Sequence, residues 1–451
     1  MEGVCYLKTA RTISWRYPRL RPEFTEGLWR AKKEELMSES KDTKQIVPVN
    51  WEKIYAGRAK RLTKSAIREI LKLIKDPEII SFAGGLPANE LLPCNEVADA
   101  CREILADRKM GEMALQYGPT EGYDPLKIYL IEQMQKYGVP AKMDNVSITN
   151  GAQGGIFLSG LMLVEKGTMV LVEEPTYLGY ANAMKHLGAE FCTIPVDQDG
   201  MRVDLLPEII EKYHPKVIYT MPDFHNPVGV TMSLERRHEL ARIVSERDDV
   251  VIIEDNPYGK LRYSGEHLPP VASLAKEHTF YLGTVSKILA PGLRVGWMVA
   301  PEAPTTKTFE AIQGECLYTS LFTQMIVHKI FSNEEIMDAR IKELRKVYKE
   351  RRDCMLDALD KYFPHEVVWT RPEGGLFLWL TAPEGIDTGD EFFKKALEEK
   401  VAYVPGGPFY AVDSKDKKRT SRLNFSYSNI EKIEIGMKRL GIAFKKELAK
   451  K

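Results

Sequence analysis

The sequence has little cysteine, no long apolar run and no excess of either charge. Its six cysteines, Cys5, Cys94, Cys101, Cys192, Cys316 and Cys354, are scattered and form no C-x-x-C pair. A dense disulfide framework is thereby excluded, and a reducing, cytoplasmic setting is expected. The longest apolar stretch, Ile156 to Val164, is broken by Ser159 and Gly160. It falls far short of the roughly 20 residues needed to span a bilayer. Lys plus Arg number 64 and Asp plus Glu number 64, so no overall field favours nucleic acid or an anionic membrane. The eight histidines show no His-x-x-x-His or other ligand spacing, and no metal is expected. No internal repeat, low-complexity linker or signal-peptide apolar stretch is apparent. What remains is the expectation of a soluble protein that acts on small molecules.

A chain of 451 residues, 44% hydrophobic and 28% charged, can bury a large core and divides into two or more domains on size alone. The first 48 residues read differently from the rest. From Met1 to Lys60 there are 13 basic and 8 acidic residues, with little apolar periodicity, which suits an appendage. Met37 lies shortly before regular structure becomes readable, so a start site assigned too early explains this segment equally well. At Ser65 a capping residue precedes Ile67, Ile70, Leu71 and Ile74, the spacing of one helix face. Beyond residue 168, short apolar runs alternate with helical patterns. Strands are expected at Met169–Val172, Glu190–Val196, Val217–Thr220, Val250–Ile253, Phe280–Gly283 and Val295–Val299, with helices near 180–187, 205–213 and 234–244 between them. Such alternation predicts βαβ units and an α/β fold with a mostly parallel sheet covered on both faces. From about residue 335 the pattern changes to a charged helix, 335–362, and a strand at 375–379, which predicts a second, smaller α+β domain.

The chemistry is concentrated after three of these strands. Gly283-Thr-Val-Ser-Lys-Ile-Leu-Ala-Pro-Gly-Leu-Arg294 places Lys287 beside Ser286 and seven residues before Arg294. A lysine amine can condense with an aldehyde while a hydroxyl and a guanidinium hold a phosphate dianion, which suits a pyridoxal phosphate anchor. On its own the run is also what a solvated Pro-Gly turn looks like. Asp255 ends the apolar strand 250–254, and Asn226 follows the strand that starts at Val217. Ligands of open α/β sheets sit at the carboxyl ends of strands. A carboxylate buried there is costly without a cationic partner such as a pyridinium nitrogen, although an isolated Asp before Asn-Pro is more often a turn residue. Gly151-Ala-Gln-Gly-Gly155 follows a fourth strand-like segment, Val146–Thr149, and such a turn can offer backbone N–H groups and a helix start to phosphate.

At Ser286-Lys287, Asp255-Asn-Pro-Tyr258 and Asn226-Pro-Val-Gly229 the sequence resembles the fold-type I aminotransferases, from about residue 50 to near the C-terminus. Ser65-Ala-Ile-Arg-Glu-Ile-Leu-Lys72, Ser81-Phe-Ala-Gly-Gly-Leu-Pro87 and Gln116-Tyr117 are most similar to the 2-aminoadipate and kynurenine aminotransferase group. The resemblance implies pyridoxal 5′-phosphate as cofactor, bound to Lys287, with Asp255 on its ring nitrogen. It implies phosphate contacts from Gly151, Ala152, Gln153, Ser286 and Arg294. It places Tyr177 against the ring and Asn226 and Tyr258 on the phenolic oxygen. Arg422 is implied at the substrate carboxylate, with Arg68 and Gly85 near its side chain. Tyr117 is implied to reach the phosphate of a partner subunit, so a homodimer with shared sites is expected. The resemblance divides the chain into an extension (1–48), the N-terminal part of a small domain (49–95), a large cofactor-binding domain (96–330) and the C-terminal part of the small domain (331–451). His225 departs from the commoner family pattern and reads as a local hydrogen-bonding residue.

The implied reaction is transamination. Lys287, freed by an incoming amino acid, moves the Cα proton as base and then acid. The donors implied are 2-aminoadipate, kynurenine, aromatic or branched amino acids, with 2-oxoglutarate as acceptor. The same residues would also serve a lyase or decarboxylase of this cofactor, or a transcription regulator with an aminotransferase-like body, although the N-terminal segment shows no clear helix-turn-helix pattern.

Overall fold

The computed structural model describes residues 48–64, 69, 70 and 76–450. The chain divides into two units, Met1–Ala56 and Gly57–Lys451. The described part of the first holds one short helix, Trp51–Ile54, with no buried side chain. Of the helix expected from Ser65, Glu69 and Ile70 are helical; Ile67, Arg68, Leu71 and Ile74 lie outside the described residues.

The second unit is built around an eight-stranded sheet. In chain order its neighbours are β1 (Ile80–Ser81), which lies apart, then β2 (Val146–Thr149), β3 (Met169–Glu174), β4 (Glu190–Asp197), β5 (Gly200–Met201), β6 (Val217–Thr220), β7 (Val251–Asp255), β8 (Thr279–Thr284) and β9 (Gly296–Val299). Across the sheet the order is β2-β9-β8-β7-β6-β3-β4-β5. The neighbours from β8 through β4 run parallel, and β9 is antiparallel to both β8 and β2. The chain steps outward from β3 to β4, then returns to the other side of β3 with β6 and continues through β7 and β8. That reversal makes the carboxyl ends of β3 and β6 a topological switch point, where ligands of such sheets bind.

The two-residue period of the strands explains why both faces are covered. Val170, Val172, Val217, Tyr219 and Ile253 face one apolar layer, with Ile156 and Leu158 of helix Gly151–Leu163 and Met184 of helix Leu178–Leu187. Leu171, Ile218 and Ile252 face the other, with Leu206 and Ile210 of helix Leu206–Tyr213 and Leu240 and Val244 of helix Leu234–Ser245. Each fully buried aliphatic side chain contributes about 1.5–3 kcal/mol relative to exposure. The predicted strands therefore occur where expected, within one or two residues at their ends.

A second, antiparallel sheet comes from the C-terminal part of the chain. It contains β10 (Val368–Trp369), β11 (Phe377–Thr381), β13 (Val404–Pro405) and β14 (Thr420–Asn424), in the order β10-β11-β14-β13. The expected strand at 375–379 starts two residues later, because Gly375 takes φ +71 and turns the chain against Phe224. β1 pairs in parallel with β12 (Val401–Ala402), so an N-terminal segment joins the C-terminal elements. The charged helix runs Glu334–Tyr362, with the Asn333 side chain accepting from the Ile336 N–H as its cap. Among the described residues, no helix is long and apolar enough to cross a membrane.

The loops after β6 and β7 are tied together by buried charge. Arg237, fully buried, donates through Nη2 to Asp223 Oδ1 at 2.6 Å, and Asn256 Nδ2 donates to Asp223 Oδ2 at 2.8 Å. The guanidinium also donates to the carbonyls of Met232 and Pro269, each at 3.0 Å. Removing one member of such a network leaves the other charged and poorly solvated. Arg237→Ala is expected to destabilise the protein by about 3–5 kcal/mol, read from urea unfolding of the cofactor-free protein; an unchanged midpoint would show that the pair does not hold these loops.

Candidate active site

Four strand ends deliver the chemistry to one cavity of about 250 Å³. Tyr177 follows β3, Asn226 lies in the loop after β6, Asp255 closes β7, and Lys287 follows β8 by three residues. Tyr258, Ser286, Arg294, Arg422, Ala152, Gln153 and Gly85 also line it. Gly151 stands just behind, as the first residue of the helix Gly151–Leu163, with φ +70. A Cβ on Gly151 would lie 2.5 Å from Arg294 Nη2, so only glycine lets that guanidinium pack over the turn.

Asp255 is 2% exposed. Its Oδ2 accepts from the Tyr219 hydroxyl at 2.8 Å, whereas its Oδ1 has no partner among the described residues. Burial pushes this carboxyl up to about 7, against the opposing effects of the Tyr219 hydrogen bond and the nearby Lys287. Lys287 Nζ donates to the Gly85 carbonyl at 2.9 Å. Burial of the amine, followed by the positive charges of Arg422 and Arg294, lowers it to about 8.

Arg422 lies in β14 and is 1% exposed. Its Nη1 donates to Asn226 Oδ1 at 3.0 Å and its Nη2 to the Ala83 carbonyl at 3.0 Å. The guanidinium is bracketed by the rings of Phe377 at 4.2 Å and Phe409 at 5.1 Å. Burial lowers its proton affinity to about 10, and a buried cation of this kind favours an anionic partner. Tyr258 packs edge-on against Phe377 with centroids 6.0 Å apart, and burial raises its hydroxyl above the ordinary range.

The Tyr177 hydroxyl donates to Gln153 Oε1 at 3.3 Å, and Gln153 Nε2 donates to the Gly179 carbonyl at 3.3 Å. Burial raises the Tyr177 hydroxyl to about 12, so it stays a neutral donor. Ser286 Oγ lies 2.9 Å from Thr284 Oγ1. Arg294 Nη2 donates to the Asn150 carbonyl at 2.9 Å, and the residue is exposed. This end of the cavity combines a hydroxyl, a guanidinium and the first turn of a helix, a donor set suited to an anion.

One predicted residue, Tyr117, is not among those that line the cavity. Tyr117 is 77% exposed and packs edge-on against Tyr318, with centroids 6.0 Å apart. Arg68 lies outside the described residues. Other residues were missed. In sequence Tyr219 reads only as part of the strand 217–220, and Phe377 only as part of 375–379; a tyrosine directly after two aliphatic strand residues is the available signal for the first. His225, expected as a local hydrogen-bonding residue, makes no aligned side-chain hydrogen bond among the described residues; its Nε2 lies 3.1 Å from Glu173 Oε2, both residues 2% exposed. Glu173 also accepts from Thr220 Oγ1 at 2.9 Å and from the Met221 N–H at 3.1 Å, so it fixes the start of the Asn226 loop.

These features fit pyridoxal phosphate. The free Oδ1 of Asp255 can face a protonated ring nitrogen, the Lys287 amine can meet the aldehyde, and the Ser286, Arg294 and Gly151 end can receive the phosphate.

Comparison with known proteins agrees. Residues 77–440 match the family described as "Aminotransferase class I and II". The chain is 42% identical over 423 residues to aromatic-amino-acid aminotransferase 1 of Thermococcus litoralis, covering 92% of this chain and 100% of that protein. It superposes with a TM-score of 0.82 on the alpha-aminoadipate aminotransferase LysN of Thermus thermophilus, solved with N-(5′-phosphopyridoxyl)-L-leucine, at 38% identity and covering 89% of this chain and 100% of that one. The kynurenine aminotransferase of Pyrococcus horikoshii, in complex with PMP, gives a TM-score of 0.83 at 40% identity, covering 88% of this chain and 98% of the other. The chain thus belongs to the class I and II aminotransferases and is an enzyme of fold type I that uses pyridoxal phosphate.

Proposed function

We propose that this aminotransferase moves the amino group of 2-aminoadipate, kynurenine, or an aromatic or branched L-amino acid to a 2-oxo acid such as 2-oxoglutarate. The observation that carries the reading is Arg422, a buried cation between two aromatic rings that lines the cavity beside Asn226. A planar guanidinium presents paired donors to a carboxylate, which fixes the Cα of an amino acid in one orientation. The named activities of the relatives at 38–42% identity support the choice of donors.

The residues divide the work as follows. Arg422 and Asn226 hold the substrate carboxylate end, and Gly85 leaves room beside it. When bound, pyridoxal phosphate supplies an electron sink that allows the Cα–H bond to break. Asp255 holds a proton at the ring nitrogen, and Tyr258 and Asn226 hold the phenolic oxygen. Ser286, Arg294, Gly151, Ala152 and Gln153 hold the phosphate, and Tyr177 covers the ring. Lys287 Nζ would take the Cα proton as base and deliver it as acid to the carbon that was the cofactor's aldehyde; its lowered proton affinity makes the neutral amine available near neutral pH.

A homodimer that shares its sites accounts for two exposures at once. Arg294 is open to solvent in the single chain, and Tyr117 projects an exposed ring, so a partner's Tyr117 would close the phosphate end. The division at 49–95, 96–330 and 331–451 is supported by the pairing of β1 with β12 and by the separate C-terminal sheet. A cytoplasmic setting is supported by the free thiols of Cys94, Cys101, Cys192, Cys316 and Cys354.

A panel of L-amino acids assayed against 2-oxoglutarate tests the substrate reading: stoichiometric 2-oxo acid and glutamate are expected with the proposed donors, and release of ammonia or CO₂ in their place would refute transamination. Arg422→Lys should raise KM for amino donors roughly tenfold to a hundredfold, since a charge-assisted hydrogen bond is worth about 1.5–3 kcal/mol, while leaving the cofactor's absorbance in place. An unchanged KM would remove Arg422 from the carboxylate. Only the neutral amine of Lys287 captures an aldehyde, and its proton affinity is lowered from 10.5 to about 8. The rate at which cofactor-free protein takes up pyridoxal phosphate should therefore rise with pH through about 8 and level off above it. A rise continuing to pH 10 would contradict the lowered value.

A further inference from the structure

Tyr219 sits behind the cofactor site, with no place in the roles assigned above. It is fully buried in β6, paired in register with Ile253 of β7, and Asp255 lies two residues further along β7 on the same face. Diagonal neighbours on adjacent strands are about 7–8 Å apart at Cα. A serine or threonine would be too short to span that gap, and phenylalanine would span it without a donor. The tyrosine hydroxyl reaches Asp255 Oδ2 at 2.8 Å, and its ring is clamped by Tyr180 in a parallel stack, with centroids 3.7 Å and planes 12° apart. The stack leaves the hydroxyl little freedom to turn elsewhere. The result is a carboxylate with one oxygen engaged from behind and the other, Oδ1, without a partner among the described residues.

We propose that Tyr219 is a positioning residue that decides where the proton between Asp255 and the cofactor ring resides, and thereby how strongly the ring draws electrons. The inference rests on the proposed ring-nitrogen role of Asp255. That proton has two resting places, Oδ1 of Asp255 and the ring nitrogen. A donor on Oδ2 stabilises the anionic carboxylate, so the proton stays on nitrogen. A cation in place of Tyr219 would also stabilise the anion, but it would pair with the carboxylate and weaken its hold on the pyridinium. A neutral donor avoids that competition. The Tyr219 hydroxyl meets the requirement because burial and the adjacent Asp255 raise its own proton affinity well above the ordinary value, which keeps it protonated throughout the working range. Loss of the donor would let the buried carboxyl, already pushed up to about 7, take the proton from the ring.

The test uses holoenzyme reconstituted with pyridoxal phosphate labelled with ¹⁵N in the ring. The ¹⁵N shift reports the proton directly and is insensitive to a purely packing role. In the unmodified enzyme the shift of a protonated ring is expected. Tyr219→Phe keeps the stack and removes the donor; its shift should move towards that of the neutral ring, and its affinity for pyridoxal phosphate should fall roughly tenfold, as for loss of a hydrogen bond to a charged group. Fluorotyrosine at position 219, a stronger donor of nearly the same size, should keep the proton on nitrogen to higher pH, and it provides the answer if the phenylalanine variant does not fold. Asp255→Asn separates the two claims. If it leaves the ¹⁵N shift unchanged, the ring-nitrogen role of Asp255 fails. If it moves the shift while both Tyr219 replacements leave shift and affinity as in the unmodified enzyme, the proposal for Tyr219 alone is overturned.

Discussion

The burial of one carboxylate, Asp255, is the constraint on which the site depends. It ends a strand that runs through aliphatic Val251, Ile252 and Ile253 and buried Glu254, inside a sheet covered by helices above and below. In such a place an unpaired anion is costly, and the carboxyl responds by holding its proton up to about 7. The protein answers half of its need with Tyr219 and leaves the other oxygen without a partner among the described residues. In the proposed role, the protonated ring nitrogen of bound pyridoxal phosphate would complete the pair and supply the pull that makes an amino acid acidic at Cα. Strand burial and catalytic power are thus linked through one side chain.

The remaining groups are arranged around that requirement by topology. The turn-back of the chain at β3 gathers the ends of β3, β6, β7 and β8, so Tyr177, Asn226, Asp255 and Lys287 meet although they are spread over 110 residues of sequence. Asp223, Arg237 and Asn256 lock the β6 and β7 loops to each other, and Glu173 fixes the first of them from β3. The C-terminal sheet then supplies Arg422, already committed to Asn226 and to the Ala83 carbonyl. Lys287 is depressed by burial and by Arg422 and Arg294, which turns an ordinary lysine into a usable base.

Much of this was legible in the sequence because it rests on local pattern. The apolar runs at 169–172, 217–220, 250–253 and 280–283 separated by helical spacing identify the parallel sheet, and the ends of the last three point to Asn226, Asp255 and Lys287. What was not legible depends on cross-strand and long-range proximity. Tyr219 is set apart from its apolar neighbours only by its register against β7, and Phe377 and Phe409 become partners of Arg422 only when the small sheet docks. The start of β11 was misplaced because a left-handed glycine at 375 looks, in sequence, like any other strand glycine. Tyr117 shows the opposite limit: its ring is far from buried within one chain, so its assignment depends on a second copy rather than on this fold.

The covalent attachment at Lys287 is the central claim, and reduction of the holoenzyme with borohydride followed by peptide mapping tests it most directly. The account predicts a single phosphopyridoxyl group on the peptide that carries Ser286 and Lys287, lost when the enzyme is saturated with amino donor before reduction. A stable adduct on another lysine, or none at all, would contradict it.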